Sequence, residues 1–215
     1  TLFSLSCSGT PTPVKPISTQ TFLADVAISF DELPYQLDRD QKPIQTDSVK
    51  QKAISEKILE HVTADKTPTT VFINCSLLPA EQGIAGIWAK ANVTLGNHTG
   101  RHLDANTTEL GAWQFDIQTC SETLRRTSGE KTRWFRFPDL QRGWTKERNN
   151  ELLQTLTEMN LQPVPASIPT LDHLYARVYE QAISEKKPRF AEEVAKAYVA
   201  HVLAGVHYAV NLAET

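Results

Sequence analysis

Apolar positions recur along this chain with two periods in alternation. Leu23 to Asp31 is β-rich, ends in the adjacent acids Asp31 and Glu32, and is stopped by Pro34, which has no N–H to give a ladder. From Asp47 to Val62 the apolar residues Val49, Ala53, Ile54, Ile58, Leu59 and Val62 keep helical spacing, with Asp47 placed as N-cap. Thr69 to Cys75 reads as a second strand and Glu81 to Lys90 as a short helix. Val93 to Gly96 is a third strand, followed by His98 and His102. Thr107 to Arg126 is an amphipathic helix anchored by Leu110, Trp113, Phe115, Ile117 and Leu124. Arg133 to Phe137 is a fourth strand closed by Pro138. Thr145 to Met159 is helical, capped by Thr145, and Leu161 to Ile168 is a short strand interrupted by Pro163 and Pro165. Leu171 to Ser184 and Arg189 to Val199 are helical by period. The apolar run His201 to His207 reads as a last strand or as a continuation of the helix before it.

Strands alternating with amphipathic helices imply βα units and a mainly parallel sheet or barrel. In such folds the chemistry gathers at the C-terminal ends of the strands. Asp31, Glu32, His98, His102, Arg136 and His207 all fall at that edge in this reading. His98 and His102 are four apart, a spacing that on a helical turn puts both imidazoles on one face, where they can share a divalent metal.

Composition narrows the classes. The 215 residues fit one large domain or two small ones, and 40% hydrophobic with 22% charged residues is enough for a real core. A net charge of −3 and the lack of a long basic run argue against nucleic acid as the main partner. No apolar stretch approaches the roughly 20 residues of a transmembrane span. Cys75 and Cys120 sit in apolar contexts and are expected as buried thiols; the odd count, with Cys7, excludes a complete internal disulfide set. Residues 1–20 read as a tether: Leu2 to Cys7 has the look of the tail of an export signal with a lipid anchor at Cys7, and Ser8 to Pro16 is rich in Pro, Ser and Thr. That organisation, with a catalytic domain over 21–215, implies an exported protein, periplasmic or held at the cell envelope.

An acid pair and two imidazoles on one rim supply the nitrogen and oxygen ligands a catalytic zinc uses while leaving a position open for water. The spare carboxylate can take a proton from that water, and an arginine beside it would hold it ionised and oriented. Three motifs make this specific. Ser29-Phe30-Asp31-Glu32-Leu33-Pro34 resembles the T-F-D-D-G motif of the NodB-homology polysaccharide deacetylases, carbohydrate esterase family 4. His98-Thr99-Gly100-Arg101-His102 meets the second motif, H-S/T-x-x-H, and Phe135-Arg136-Phe137-Pro138 meets the third, F-R-x-P.

The resemblance implies a distorted (β/α) barrel that hydrolyses N-acetyl groups from a glycan such as peptidoglycan, a chitin-like chain or poly-N-acetylglucosamine. It makes Asp31 the general base, Glu32, His98 and His102 the ligands of Zn2+ (or Co2+ or Ni2+), and Arg136 the group that steadies the base. A backbone N–H after the first strand or near Cys75 would stabilise the oxyanion. His207 would be the general acid, in Gly205-Val206-His207, where the family has L-x-H. In place of the fourth motif, D-x-x-D-W, stands Pro169-Thr170-Leu171-Asp172-His173, so Pro169 replaces the first acid and His173 the tryptophan. Pro138, Trp144, Asp172 and His173 are the expected substrate-binding residues, Trp144 as a platform for a sugar ring. Two other functions stay open: a catalytically impaired relative that binds glycan or metal, and an esterase acting on another acetylated substrate.

Overall fold

Five strands pair in chain order into one parallel sheet, β1 (Ile28–Leu33), β2 (Thr69–Ile73), β3 (Thr94–Asn97), β4 (Trp134–Phe135) and β5 (Gln162–Pro163). The structure, a computed structural model, describes residues 26–33, 48–78, 86–89, 91 and 93–213. The expected tether with Cys7, the start of the first strand at Leu23, Pro34, the Asp47 cap and most of the helix expected at Glu81 to Lys90 lie outside them.

The connecting helices are α1 (Ser48–Ala64), α2 (Leu110–Ser128) and α3 (Lys146–Glu158), followed after β5 by α4 (Asp172–Ser184) and α5 (Pro188–Ala213). Laying each new parallel strand beside the last, with no reversal of order, is how a (β/α) barrel grows, whereas a doubly wound sheet reverses. The architecture is the distorted (β/α) barrel expected from the sequence, and the five described strands leave it unclosed.

The strands are short because their buried apolar runs are short. Val71, Phe72 and Ile73 in β2 are buried, as are Leu95 in β3 and Phe135 in β4. One core lies around Leu59, Val71, Ile73, Trp88, Leu95 and Leu124; a second joins Trp113, Ile117, Phe135, Phe137, Leu152 and Leu156. In the second, Trp113 stacks on Phe137 at 5.8 Å, and Phe135 meets both rings edge-on. Gly96 is needed for close packing: a Cβ there would lie 2.4 Å from the Phe72 ring.

Helix ends follow local chemistry. Thr145 caps α3 by accepting from the Arg148 N–H, as expected, while Glu109 caps α2 through the Ala112 N–H. Gly129 closes α2 at φ 80°, a conformation that costs glycine nothing. Two helix faces differ from the sequence reading. Phe115 is 66% exposed, and α1 buries Gln51, Ser55 and Leu59 while Val49 and Ile54 face outward.

The structure decides one open reading and corrects one expectation. Of the two readings of His201 to His207 the helical one holds: the run continues α5, which passes through Gly205 without a break. β-branched and aromatic content is too low there to outweigh an alanine-rich helix already under way. Cys75 and Cys120 are not free thiols but a disulfide, with Cα atoms 5.1 Å apart. It ties the turn after β2 to the middle of α2. None of the helices among the described residues is long and apolar enough to cross a membrane.

Candidate active site

The residues following β2, β3 and β4 extend the ladder by one step. His98 N–H donates to the Ile73 carbonyl and Arg136 N–H to that of Asn97. This fixes where each side chain leaves the sheet. In β1 the pairing slips: Phe30 is opposite Val71 but Leu33 is opposite Ile73, so β1 carries one extra residue. In a regular strand Asp31 and Glu32 would point to opposite faces. The bulge, with Glu32 at φ 60°, re-aims them so that both reach the same rim.

On that rim Asp31 Oδ1 accepts from Arg136 Nη1 at 2.7 Å, and Glu32 Oε1 lies 3.3 Å from His102 Nε2. The rings of His98 and His102 stand edge to face, centroids 5.2 Å apart. Glu32, His98 and His102 each offer one ligand atom within 4.8 Å of the others. Asp31 and Glu32 keep side-chain exposures of 35% and 19%, so the cluster opens to solvent on the carboxylate side.

Arg136 is 3% exposed and fully engaged. It donates to Asp31 and the Ser29 hydroxyl through Nη1, to the Val164 carbonyl through Nε, and to the Pro165 carbonyl through Nη2. Its guanidinium lies 4.2 Å above the Phe72 ring, so the cation is satisfied on its face as well as its edge.

The histidine pair does not ride on a helical turn. Residues 98–104 form a bent loop, with Thr99 at φ 65° and His102 at φ 56°. Side chains hold this shape where a helix would use its backbone. Asn97 Oδ1 accepts from Thr99 N–H, and buried Asp116 of α2 accepts from the N–H groups of Gly100 and Arg101. Neither Asn97 nor Asp116 was singled out in the sequence. Asp116 is legible in retrospect, as an acid on the stripe Trp113, Ile117, Cys120 and Leu124 that α2 buries.

The donor set fits a divalent cation. His98 Nδ1 is 3.0 Å from the Arg136 carbonyl, an arrangement that protonates Nδ1 and leaves Nε2 for a ligand. Neither ring nitrogen of His102 makes a hydrogen bond of good geometry, although both are buried. The 3.3 Å from His102 to Glu32 matches the edge of a tetrahedron with bonds of about 2.1 Å. Burial pushes the His98 pKa below the usual histidine value, with Asp31 opposing in part. Burial also disfavours charging of His102, but the Glu32 carboxylate, with Asp139 and Asp31, outweighs it and the pKa is raised.

The remaining expected residues stand apart. Pro138 is buried at the start of the turn carrying Asp139 and Leu140, both at positive φ. Trp144 is 78% exposed on the loop before α3, and Asp172 and His173 open α4 on the surface. Among the described residues no hydrogen bond, ion pair or ring contact joins Trp144, Asp172 or His173 to the cluster. His207 sits half-buried within α5 and not at a strand end. The Cys75 N–H is taken by the Thr99 carbonyl and that of Ser76 by Gly100, so an oxyanion donor is not free there. Beside Arg136 a cleft of about 180 Å³ is lined by Phe137, Leu140, Arg142 and residues 163–166.

Comparison with known proteins decides the family. The profile described as "Polysaccharide deacetylase" matches residues 23–164. The chain belongs to the polysaccharide deacetylase family. All three motif regions of this deacetylase relative lie inside the match, and α4 and α5 lie outside it. Among curated protein sequences nothing matches. Among solved structures it is similar to BA3943, a CE4 family pseudoenzyme from Bacillus anthracis, with TM-score 0.57 and 13% identity over 76% of this chain and 52% of that one. The Bc1960 peptidoglycan N-acetylglucosamine deacetylase gives 0.54 and 22% over 68% and 58%. The chitin deacetylase of Colletotrichum lindemuthianum gives 0.53 and 16% over 69% and 58%. The chain thus spans a little over half the length of these structures, and at such identities they show a shared fold.

Proposed function

We propose that this chain is a divalent-metal-dependent hydrolase that removes N-acetyl groups from a glycan, in which Glu32, His98 and His102 hold the metal and Asp31 is the base. One observation carries the reading. Two imidazoles and a carboxylate converge at the end of a parallel sheet, beside a second carboxylate held by a buried arginine.

When bound, a cation such as Zn2+ supplies Lewis acidity and an acidified water. The protein's own residues do the rest. Arg136 fixes Asp31 by a 2.7 Å contact, leaving its other oxygen to take a proton from water. The Arg136 carbonyl fixes the His98 tautomer, so one residue serves both the base and a ligand. The partly exposed carboxylate side is the way in for an acetamide. The adjoining cleft, near Pro138, would seat neighbouring sugars, with Trp144, Asp172 and His173 as outer contacts.

The impaired alternative draws on one specific observation: His207 is in a helix, so no strand-end histidine is described that would protonate the leaving amine. That BA3943, a CE4 family pseudoenzyme, is among the structures of similar fold supports keeping this alternative. Export is favoured by the buried Cys75–Cys120 disulfide, since such bonds persist in oxidising compartments. Cys7 is outside that bond and stays the candidate for lipid attachment.

The deciding experiment measures acetate released from short N-acetylglucosamine oligomers by the zinc-loaded chain, before and after chelation. Release that chelator abolishes and zinc restores is expected. Stoichiometric zinc without acetate release would establish the impaired relative, and release from O-acetylated xylan alone would establish the esterase.

A further inference from the structure

Two of the three amides between the histidines are held by one side chain. Asp116, buried in α2, uses Oδ2 for the Gly100 and Arg101 N–H groups at 2.8 and 2.9 Å, and Oδ1 for Arg101 Nε at 2.8 Å. No helix or sheet ladder holds those two amides, so this carboxylate alone satisfies them. The approach is tight, because a Cβ on Gly100 would come within 2.8 Å of Asp116 Oδ1.

One turn further along α2, on the same face, is Cys120. Its disulfide partner Cys75 donates its N–H to the Thr99 carbonyl, and Ser76 donates to that of Gly100. The Gly100 and Arg101 amides are thereby pinned to Asp116, and the Thr99 and Gly100 carbonyls to the Cys75 turn. The disulfide locks these two anchors to each other. The result is a closed ring of contacts around Thr99, Gly100 and Arg101, the residues between the two candidate ligands.

We infer that Asp116 is a positioning residue for the histidine pair, and that with the Cys75–Cys120 disulfide it forms one brace that sets metal affinity. It touches neither metal nor substrate; it acts by holding His102 at φ 56° and Thr99 at φ 65°, backbone states that a freed loop would leave. The inference rests on the metal reading above. Wild-type protein that binds no zinc removes both, whereas unequal behaviour of the variants bears on the brace alone.

The test is the zinc dissociation constant, measured by chelator competition on the full chain, for Asp116→Ala and independently Gly100→Ala. The first removes the acceptor from the helix side; the second breaks the same joint from the loop side and leaves α2 intact. Groups behind a ligand typically change metal affinity 10–100-fold, and that loss is expected for both variants. The cobalt-loaded variants should also show altered ligand-field bands at saturation. Leu156→Ala, in the separate core around Trp113, is the control for lost stability. Wild-type affinity and spectrum in Gly100→Ala, or equal weakening in Leu156→Ala at matched melting temperature, overturns the inference.

Discussion

At the residue scale the site is built on unequal treatment of like groups. Asp31 and Glu32 are neighbours in sequence, yet one meets a guanidinium and the other an imidazole. The proposed assignment of Asp31 as base and Glu32 as ligand matches that division. Asp31→Asn keeps an oxygen for Arg136 Nη1 and leaves the Glu32, His98 and His102 cluster untouched. It is therefore expected to retain zinc one-to-one while acetate release falls by 10²-fold or more, about the worth of a positioned general base. Equal turnover in the variant would move the base elsewhere. The motifs made these residues legible in advance, because each type was tied to one chemical task. What they did not show is that Arg136 also fixes His98 through its own carbonyl, since a backbone acceptor has no sequence signature.

At the element scale, turns and bulges place the chemistry more than strands and helices do. The extra residue in β1 brings two adjacent acids to one rim, and the bent loop after β3 brings the histidines together without a helix. Periodicity predicts a helix from spacing of four, but it cannot see Asn97 and Asp116 satisfying the loop from outside. The disulfide escaped the sequence for a related reason. Cys75 and Cys120 are 45 residues apart, and their meeting depends on how α2 lies across the turn after β2. In the chain-entropy treatment, closing a loop of that length stabilises the native state by about 4 kcal/mol. Cys75→Ala with Cys120→Ala should lower the unfolding free energy by roughly that amount in urea, with its slope raised as the unfolded chain expands. No change against wild type, measured without reductant, would show that the two sulfurs are not bonded in solution.

At the scale of the whole molecule, the sheet and the final pair of helices are differently anchored. β2, β3 and α2 share the core around Val71, Ile73, Leu95 and Leu124. In contrast α4 and α5 pack chiefly on each other, with Tyr175 against Tyr198 and His201 at 5.4 and 5.6 Å. They bury few large side chains, and Leu174, Ile183, Val199, Leu203 and Leu212 remain exposed. This explains why the helical period was readable there while the role of the segment was not. Its pattern is amphipathic, and α4 and α5 chiefly meet each other. Local opening costs least where buried apolar contacts are few. Amides of α4 and α5 are therefore expected to exchange hydrogen through an opening of lower free energy than those of Val71 to Ile73. That opening should also have a smaller denaturant dependence, because less surface is exposed. If both sets converge on one unfolding isotherm even without denaturant, the hairpin is part of the same cooperative unit as the sheet. Removing it would then unfold the rim that carries Asp31, His98 and Arg136.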